Sequence, residues 1–152
     1  MGSKLEADFP YYLDFGVGYQ KDNLKLGATF VWMGYGTMDE LKQTTGGVST
    51  IIKTGFKDGY RIGLGGEYQI SDRLYVLAGV RFVSTEQADA FMNPLSNDVA
   101  VLGLTSGVRF NMTKKIDLMM GYLHLFGFER KVGEKEFNQD YNTLIIGMRQ
   151  QF

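Results

Sequence analysis

The feature that most constrains this chain is a side-chain period of two that returns in segment after segment. In YNTLIIGMRQQF, Asn142, Leu144, Ile146, Met148, Gln150 and Phe152 share one side, with Tyr141, Thr143, Ile145, Gly147, Arg149 and Gln151 on the other. The same division places Leu102, Leu104, Val108 and Phe110 against Val101, Gly103, Gly107 and Arg109. It sets Leu74, Val76, Val80 and Phe82 against Arg73, Tyr75, Leu77, Gly79 and Arg81. It also sets Tyr60, Ile62, Leu64 and Tyr68 against Arg61, Gly63, Gly65 and Glu67. Nearer the start, Tyr11, Leu13, Phe15, Val17 and Tyr19 oppose Asp14, Gly16 and Gly18, while Leu24, Leu26, Phe30 and Trp32 oppose Lys25 and Gly27. Segment 116–127 follows the pattern less cleanly, because Met119, Leu123 and Leu125 share the side of Asp117 and Gly121. A period of two disfavours helices and predicts strands.

The two sides differ in kind. One is continuously apolar; the other collects both the glycines and the charges. A soluble antiparallel sandwich or lipocalin-like barrel would alternate too, with its polar side in water. Glycine coinciding with charge instead suits the concave side of a small barrel, where strands coil tightly and long Arg and Glu side chains need room, while the convex side is greasy enough for lipid. The chain is therefore expected to be all-β, an antiparallel transmembrane β-barrel. Tyr11, Tyr19, Trp32, Tyr60, Tyr68, Phe82, Phe110, Tyr122, Phe126 and Phe152 fall near segment ends or on the apolar side, as an interfacial aromatic belt requires.

Composition excludes several other functions. Sixteen basic and 17 acidic residues leave a formal charge of -1, so there is no broad electrostatic case for nucleic acid. Without cysteine, thiol catalysis and cysteine-based zinc sites are out, and a single histidine, His124, makes a histidine-built metal site improbable. Neither a nucleophile–base arrangement nor a phosphate loop stands out, so neither an enzyme nor a cofactor is expected. No stretch reaches the roughly 20 apolar residues of a membrane helix, which leaves strands as the means of crossing. The start does not read as a signal peptide; Met-Gly-Ser resembles an appended beginning, and residues 1–10 are expected to be a flexible lead to a barrel domain over 11–152.

Connections near 20–23, 71–73 and 111–115 are short, whereas those over 35–47, 84–97 and 128–140 are long and charged. Short periplasmic turns with long external loops are the asymmetry of outer-membrane barrels. From Tyr11 onward the runs LDFGVGYQKDNLKLGATFVWMGYG, FKDGYRIGLGGEYQISDRLYVLAGVRF and LGLTSGVRFNMTKKIDLMMGYLHLF resemble the C-terminal part of the FadL/OmpP1/TodX family. That resemblance implies the bacterial outer membrane, lipid as surroundings, and transport of fatty acids or other hydrophobic molecules. The final Phe152 looks like the terminal aromatic that such barrels present for assembly. Residues 1–10 do not resemble the family's N-terminal plug, which carries its substrate path and gate.

Strand number is where the two lines of reasoning conflict. The family pattern puts all three short turns at one end and leaves seven spans, part of a larger or intermolecularly completed barrel. A self-closed chain needs an even number, which makes 48–57 an eighth span followed by an Asp58-Gly59 hairpin turn. Eight strands are preferred here, since an unpaired edge in hydrocarbon is costly.

The predicted lumen gathers Asp14, Lys25, Lys53, Arg61, Glu67, Arg73, Arg81, Arg109, Asp117 and Arg149. Its plain reading is a mutually paired charge network filling a narrow barrel. The functional reading has arginines receiving a ligand carboxylate, with Tyr75, Leu77 and Val101 leaving an apolar slot. The expected function is binding or passage of small hydrophobic molecules such as fatty acids or detergent; the alternative is a closed structural barrel, or a truncated or engineered part of a larger transporter without transport of its own.

Overall fold

The computed structural model of the chain describes residues 3–38, 40–84, 87–89, 92 and 98–150. Twelve strands are described: β1 (Ser3–Ala7), β2 (Tyr11–Lys21), β3 (Leu24–Gly34), β4 (Glu40–Thr45), β5 (Val48–Lys53), β6 (Gly59–Gln69), β7 (Leu74–Val83), β8 (Val101–Asn111), β9 (Ile116–Gly127), β10 (Arg130–Val132), β11 (Lys135–Phe137) and β12 (Asp140–Gln150). A 3₁₀ turn covers Tyr35–Met38.

Seven long strands form one antiparallel sheet in the order β12-β9-β8-β7-β6-β3-β2. Register preserves the period of two across every pairing, because directly opposed residues project to the same face. Phe30 opposes Phe15 and Ile62, Ile62 opposes Phe82, Phe82 opposes Leu102, and Leu102 opposes Phe126. The apolar face predicted from sequence is thus one continuous surface. It encloses no core of the soluble kind: among the described residues no large side chain is fully buried, and Val17 and Ile146 are 70% and 75% exposed. β2 and β12 are the two edges of this sheet.

Segment 48–57 is not an eighth long strand. β5 pairs with β4, and β4 with β1, in a separate three-stranded sheet. The hairpin turn is Gly46-Gly47, whose φ values of 61° and 83° suit glycine. Asp58-Gly59 makes no hairpin, because the Asp58 carboxylate accepts a hydrogen bond from the Gly36 N–H at 2.8 Å and ties the end of 35–58 to the start of β6. Residues 3–7, expected as a flexible lead, supply β1 and pair with β4 over Ser3–Thr45 to Ala7–Leu41. Beside them Lys4 and then Lys42 hold the Glu6 carboxyl below its ordinary range.

All three short turns lie at one end of the long sheet. Asp22, the only described non-glycine residue with positive φ (49°), allows the sharp reversal between β2 and β3. The opposite end carries the longer connections. Tyr12, Tyr35 and Phe56 pack there, edge-on and tilted, with centroids 5.9 and 6.2 Å apart. Arg130 donates to Asp98 O (2.8 Å), Gln87 O (2.7 Å) and Asp89 Oδ1 (2.6 Å), fastening part of the 84–100 connection beside the β10-β11 hairpin. Met92, Val99 and Phe137 form a small buried cluster at that fastening.

Glycine on the second face lets neighbouring strands approach. A Cβ on Gly107 would meet Met120 O at 2.9 Å, and one on Gly79 would meet Leu64 O at 3.1 Å; on Gly27 the nearest atom is 4.0 Å away. Gly107→Ala is therefore expected to destabilise the sheet by about 1–3 kcal/mol, and Gly27→Ala by much less. Denaturant unfolding followed by the fluorescence of the single tryptophan, Trp32, tests this ordering.

Candidate ligand-binding trough

The second face is built in cross-strand rows. From the long-loop end, the first joins Asp14, Val31, Arg61, Val83 and Val101, and the next joins Gly16, Thr29, Gly63, Arg81 and Gly103. A glycine row follows, Gly18-Gly27-Gly65-Gly79, which continues into Thr105. Below it come Lys25, Glu67, Leu77, Gly107 and Gly121, and then Tyr75, Arg109, Met119 and Gly147. Because β3, β6 and β7 contribute no side chain to the central row, the face is hollowed there into a trough of about 840 Å³. That volume lies within the usual range for small-molecule sites. A second hollow of about 950 Å³ is lined mostly from the apolar face, by Val17, Tyr19, Leu26, Tyr68 and Val76, and shares Gly27, Gly65, Gly79 and Glu67 with the first.

Eight of the ten residues expected in the lumen share this face: Asp14, Lys25, Arg61, Glu67, Arg81, Arg109, Asp117 and Arg149. Lys53 does not, because β5 belongs to the three-stranded sheet. Arg73 lies just before β7, whose start is marked by Ser71 accepting the Leu74 N–H through its carbonyl (3.3 Å) and its hydroxyl (3.2 Å), while the Arg73 carbonyl accepts the Asn111 N–H at 2.8 Å. Tyr75, Leu77 and Val101 are on the same face as the trough, but Tyr75 is occupied, with the Arg109 guanidinium 4.1 Å from its ring centroid. Thr29, Thr105, Met119 and Ile145 also line the trough and were not singled out from sequence, although parity alone puts them there.

Near the short turns the charges pair. Glu67 lies 3.0 Å from Arg109 and 3.4 Å from Lys25, and its side chain is only 14% exposed. Asp117 accepts from Arg149 Nε at 2.8 Å and also from its terminal nitrogen. On the opposite, apolar face, Asn142 Oδ1 accepts from His124 Nδ1 (2.5 Å) and from Tyr122 OH, giving His124 a local hydrogen-bonded role. Phe152 lies outside the described residues. Tyr11, Trp32, Tyr60, Phe82 and Phe126 are on the apolar face toward the long-loop end, Tyr19, Tyr68 and Phe110 toward the short turns, and Tyr122 between. Among the described residues, no group of three or more His, Cys, Asp and Glu could hold a metal ion.

The family model described as outer membrane protein transport protein (OMPP1/FadL/TodX) matches residues 1–151. The chain belongs to this family. Membership implies the outer membrane as its location and makes it a transport-family protein rather than an enzyme. The fold agrees: a crystal structure of a Pseudomonas aeruginosa FadL homologue superposes with a TM-score of 0.67 at 22% identity, over 96% of this chain. The superposition takes in 35% of the homologue, so the chain spans about a third of that protein's length. No curated protein sequence matches the chain.

Glu67 alone balances two cations, one of them largely buried. Glu67→Gln is expected to cost about 2–3 kcal/mol by leaving Arg109 uncompensated. Lys25→Met, whose parent side chain is half exposed, should cost less than about 1 kcal/mol. Comparing the two unfolding midpoints separates a buried network from a solvated one.

Proposed function

We propose that the seven-stranded sheet is part of the wall of an outer-membrane barrel whose glycine-lined face guides small hydrophobic molecules. The observation carrying this reading is the trough: an apolar, side-chain-poor hollow on the very face that also bears the charges. Family membership supplies the class of activity. The two-sided character of the sheet supports the membrane setting. In β6, Tyr60 and Tyr68 stand eight residues apart on the apolar face, about 27 Å along a strand. At a tilt of roughly 40° that becomes about 20 Å, close to the apolar band between the aromatic girdles of known barrels.

Strand direction supports a wall segment over a self-closed cylinder. Six antiparallel steps separate β2 from β12, so the two edges run the same way. Joining them would create a parallel seam, as would two copies related by an axis along the barrel. An odd number of further strands closes the barrel with antiparallel seams throughout. A closed structural barrel with a filled lumen fits less well, because the glycine row leaves the middle of this face empty.

Two experiments test the proposal. In vesicles, Trp32 fluorescence should be quenched more by lipids brominated near the headgroup than by lipids brominated near the chain end; equal exposure to aqueous quencher would argue against a membrane wall. Gly27 has room for a side chain, so Gly27→Phe should fill the trough while the sheet still folds. Binding of a fluorescent naphthylamine probe should weaken by roughly ten-fold or more, equivalent to ~1.4 kcal/mol; unchanged binding would favour the structural barrel.

A further inference from the structure

The connection between β9 and β12 folds back over the trough side of the sheet. Gly127 ends β9 on that side, opposite Val101, and a Cβ there would lie 2.7 Å from the Gln139 backbone nitrogen, so glycine is what lets the returning arm cross. Val101, on the same side, packs with Val132 against the buried cluster of Met92, Val99 and Phe137. Burial follows: Leu125 is 4% exposed, against 39% for Met119 farther down the same side of β9.

The β10-β11 hairpin is itself two-sided. Arg130, Val132 and Phe137 share one side by register, and the last two belong to the cluster. On the other side Lys131 pairs with Glu136 at 2.7 Å and Glu129 at 3.1 Å. Both arms leave the ladder at one level, since β9 ends at Gly127 and β10 starts at Arg130, while β11 ends at Phe137 and β12 starts at Asp140. Residues 128–129 and 138–139 thus lie between the last wall pair, Phe126–Asp140, and the first hairpin pair, Arg130–Phe137. Across from this break, Arg130 donates to Gln87 O, Asp89 Oδ1 and Asp98 O, a frame that the Gln87 N–H braces by donating to the Asp98 carboxylate at 2.6 Å.

We infer that the β10-β11 hairpin is a lid over the long-loop mouth of the trough, hinged at 128–129 and 138–139 and latched by Arg130, which sets how fast a small hydrophobic molecule enters or leaves by that end. This rests on the passage reading of the trough and adds to it the element that controls access. The planar guanidinium suits a latch because it holds two carbonyls and a carboxylate at once. A three-residue cluster with one charged fastening opens far more readily than the continuous ladder of the wall. No described residue of 128–140 lines the trough, so the lid acts on rates and leaves affinity alone.

The test is stopped-flow binding of the naphthylamine probe to the protein in nanodiscs of zwitterionic lipid, with the signal of empty discs subtracted. Arg130→Gln should raise the association and dissociation rate constants together, each by roughly five-fold, and leave Kd within about two-fold. Phe137→Ala loosens the same hairpin from its apolar side; it should act alike, and it carries the test if the first variant does not fold. Arg130→Lys, which keeps the charge but not the fork, should fall between. Amide exchange should quicken over 130–137 and stay unchanged in β9 and β12. Unchanged rates in the folded variants would mean that the probe reaches the trough by another route, and would overturn the lid. A weaker Kd with an unchanged association rate would overturn it too, by making the hairpin part of the binding surface. If the probe does not bind the unsubstituted protein at all, the passage reading falls and the lid falls with it.

Discussion

Everything in this molecule depends on the cross-strand backbone ladder. Six successive antiparallel pairings use the inward donors and acceptors of seven long strands, so the sheet holds its geometry without a hydrophobic interior. In hydrocarbon such a ladder is obligatory, since an unsatisfied N–H or C=O costs several kcal/mol. Once the backbone is satisfied by its neighbours, the two faces are free to meet different solvents. One becomes an unbroken apolar surface from Phe15 through Phe30 and Ile62 to Phe126, and the other can give up side-chain volume altogether.

That surrender of volume carries its own physics. At Gly79 and Gly107 the absence of a Cβ permits close strand approach, whereas at Gly18 and Gly27 it leaves open space. The same residue type therefore does two jobs on one face: letting strands approach at Gly79 and Gly107, and leaving the floor of the hollow bare at Gly27. Charges sit at the borders of this hollow, where long side chains can reach one another. The Glu67 carboxylate serves two cations, one on the neighbouring β3 and one two strands away on β8, and Arg109 adds a stacked contact with Tyr75. A single carboxylate thus ties β3, β6 and β8 together near the short turns.

The faces of the long strands were legible in the sequence because a period of two is a local property: Leu64 and Glu67 declare opposite sides without reference to any partner. Eight of the ten expected lumen residues followed from that parity. Pairing is not local, and there the reading failed. VSTIIK alternates too little to reveal its neighbour, and nothing in Asp58-Gly59 announced that the carboxylate would be taken by the Gly36 N–H. Gly46-Gly47 carried a hairpin signal as strong, but β4 before it is polar and short and did not read as a strand. Lys53 was misplaced for the same reason, its position depending on which strand β5 pairs with rather than on alternation. The trough escaped notice because it is defined by missing side chains, which become visible only when Gly27, Gly65 and Gly79 align across three strands.

Register is also what turns composition into polarity along the face. Arg61, Arg81, Arg109 and Arg149 are equivalent in sequence terms, each an arginine on the glycine side of a strand. Cross-strand alignment divides them: Arg109 falls beside Glu67 and Arg149 beside Asp117, while Arg61 falls beside Val31 and Val83, and Arg81 beside Gly63 and Gly103. A one-residue slip would invert the faces, and a two-residue slip, which keeps them, would bring Arg81 opposite Arg61 or opposite Gly65. The neutral end and the cationic end of the trough are consequences of one register, and the aromatic rows on the reverse face fix that register from outside. Trp32 against Tyr60, with Ile62 against Phe82, holds the strands in the alignment that leaves these two guanidiniums without an acid.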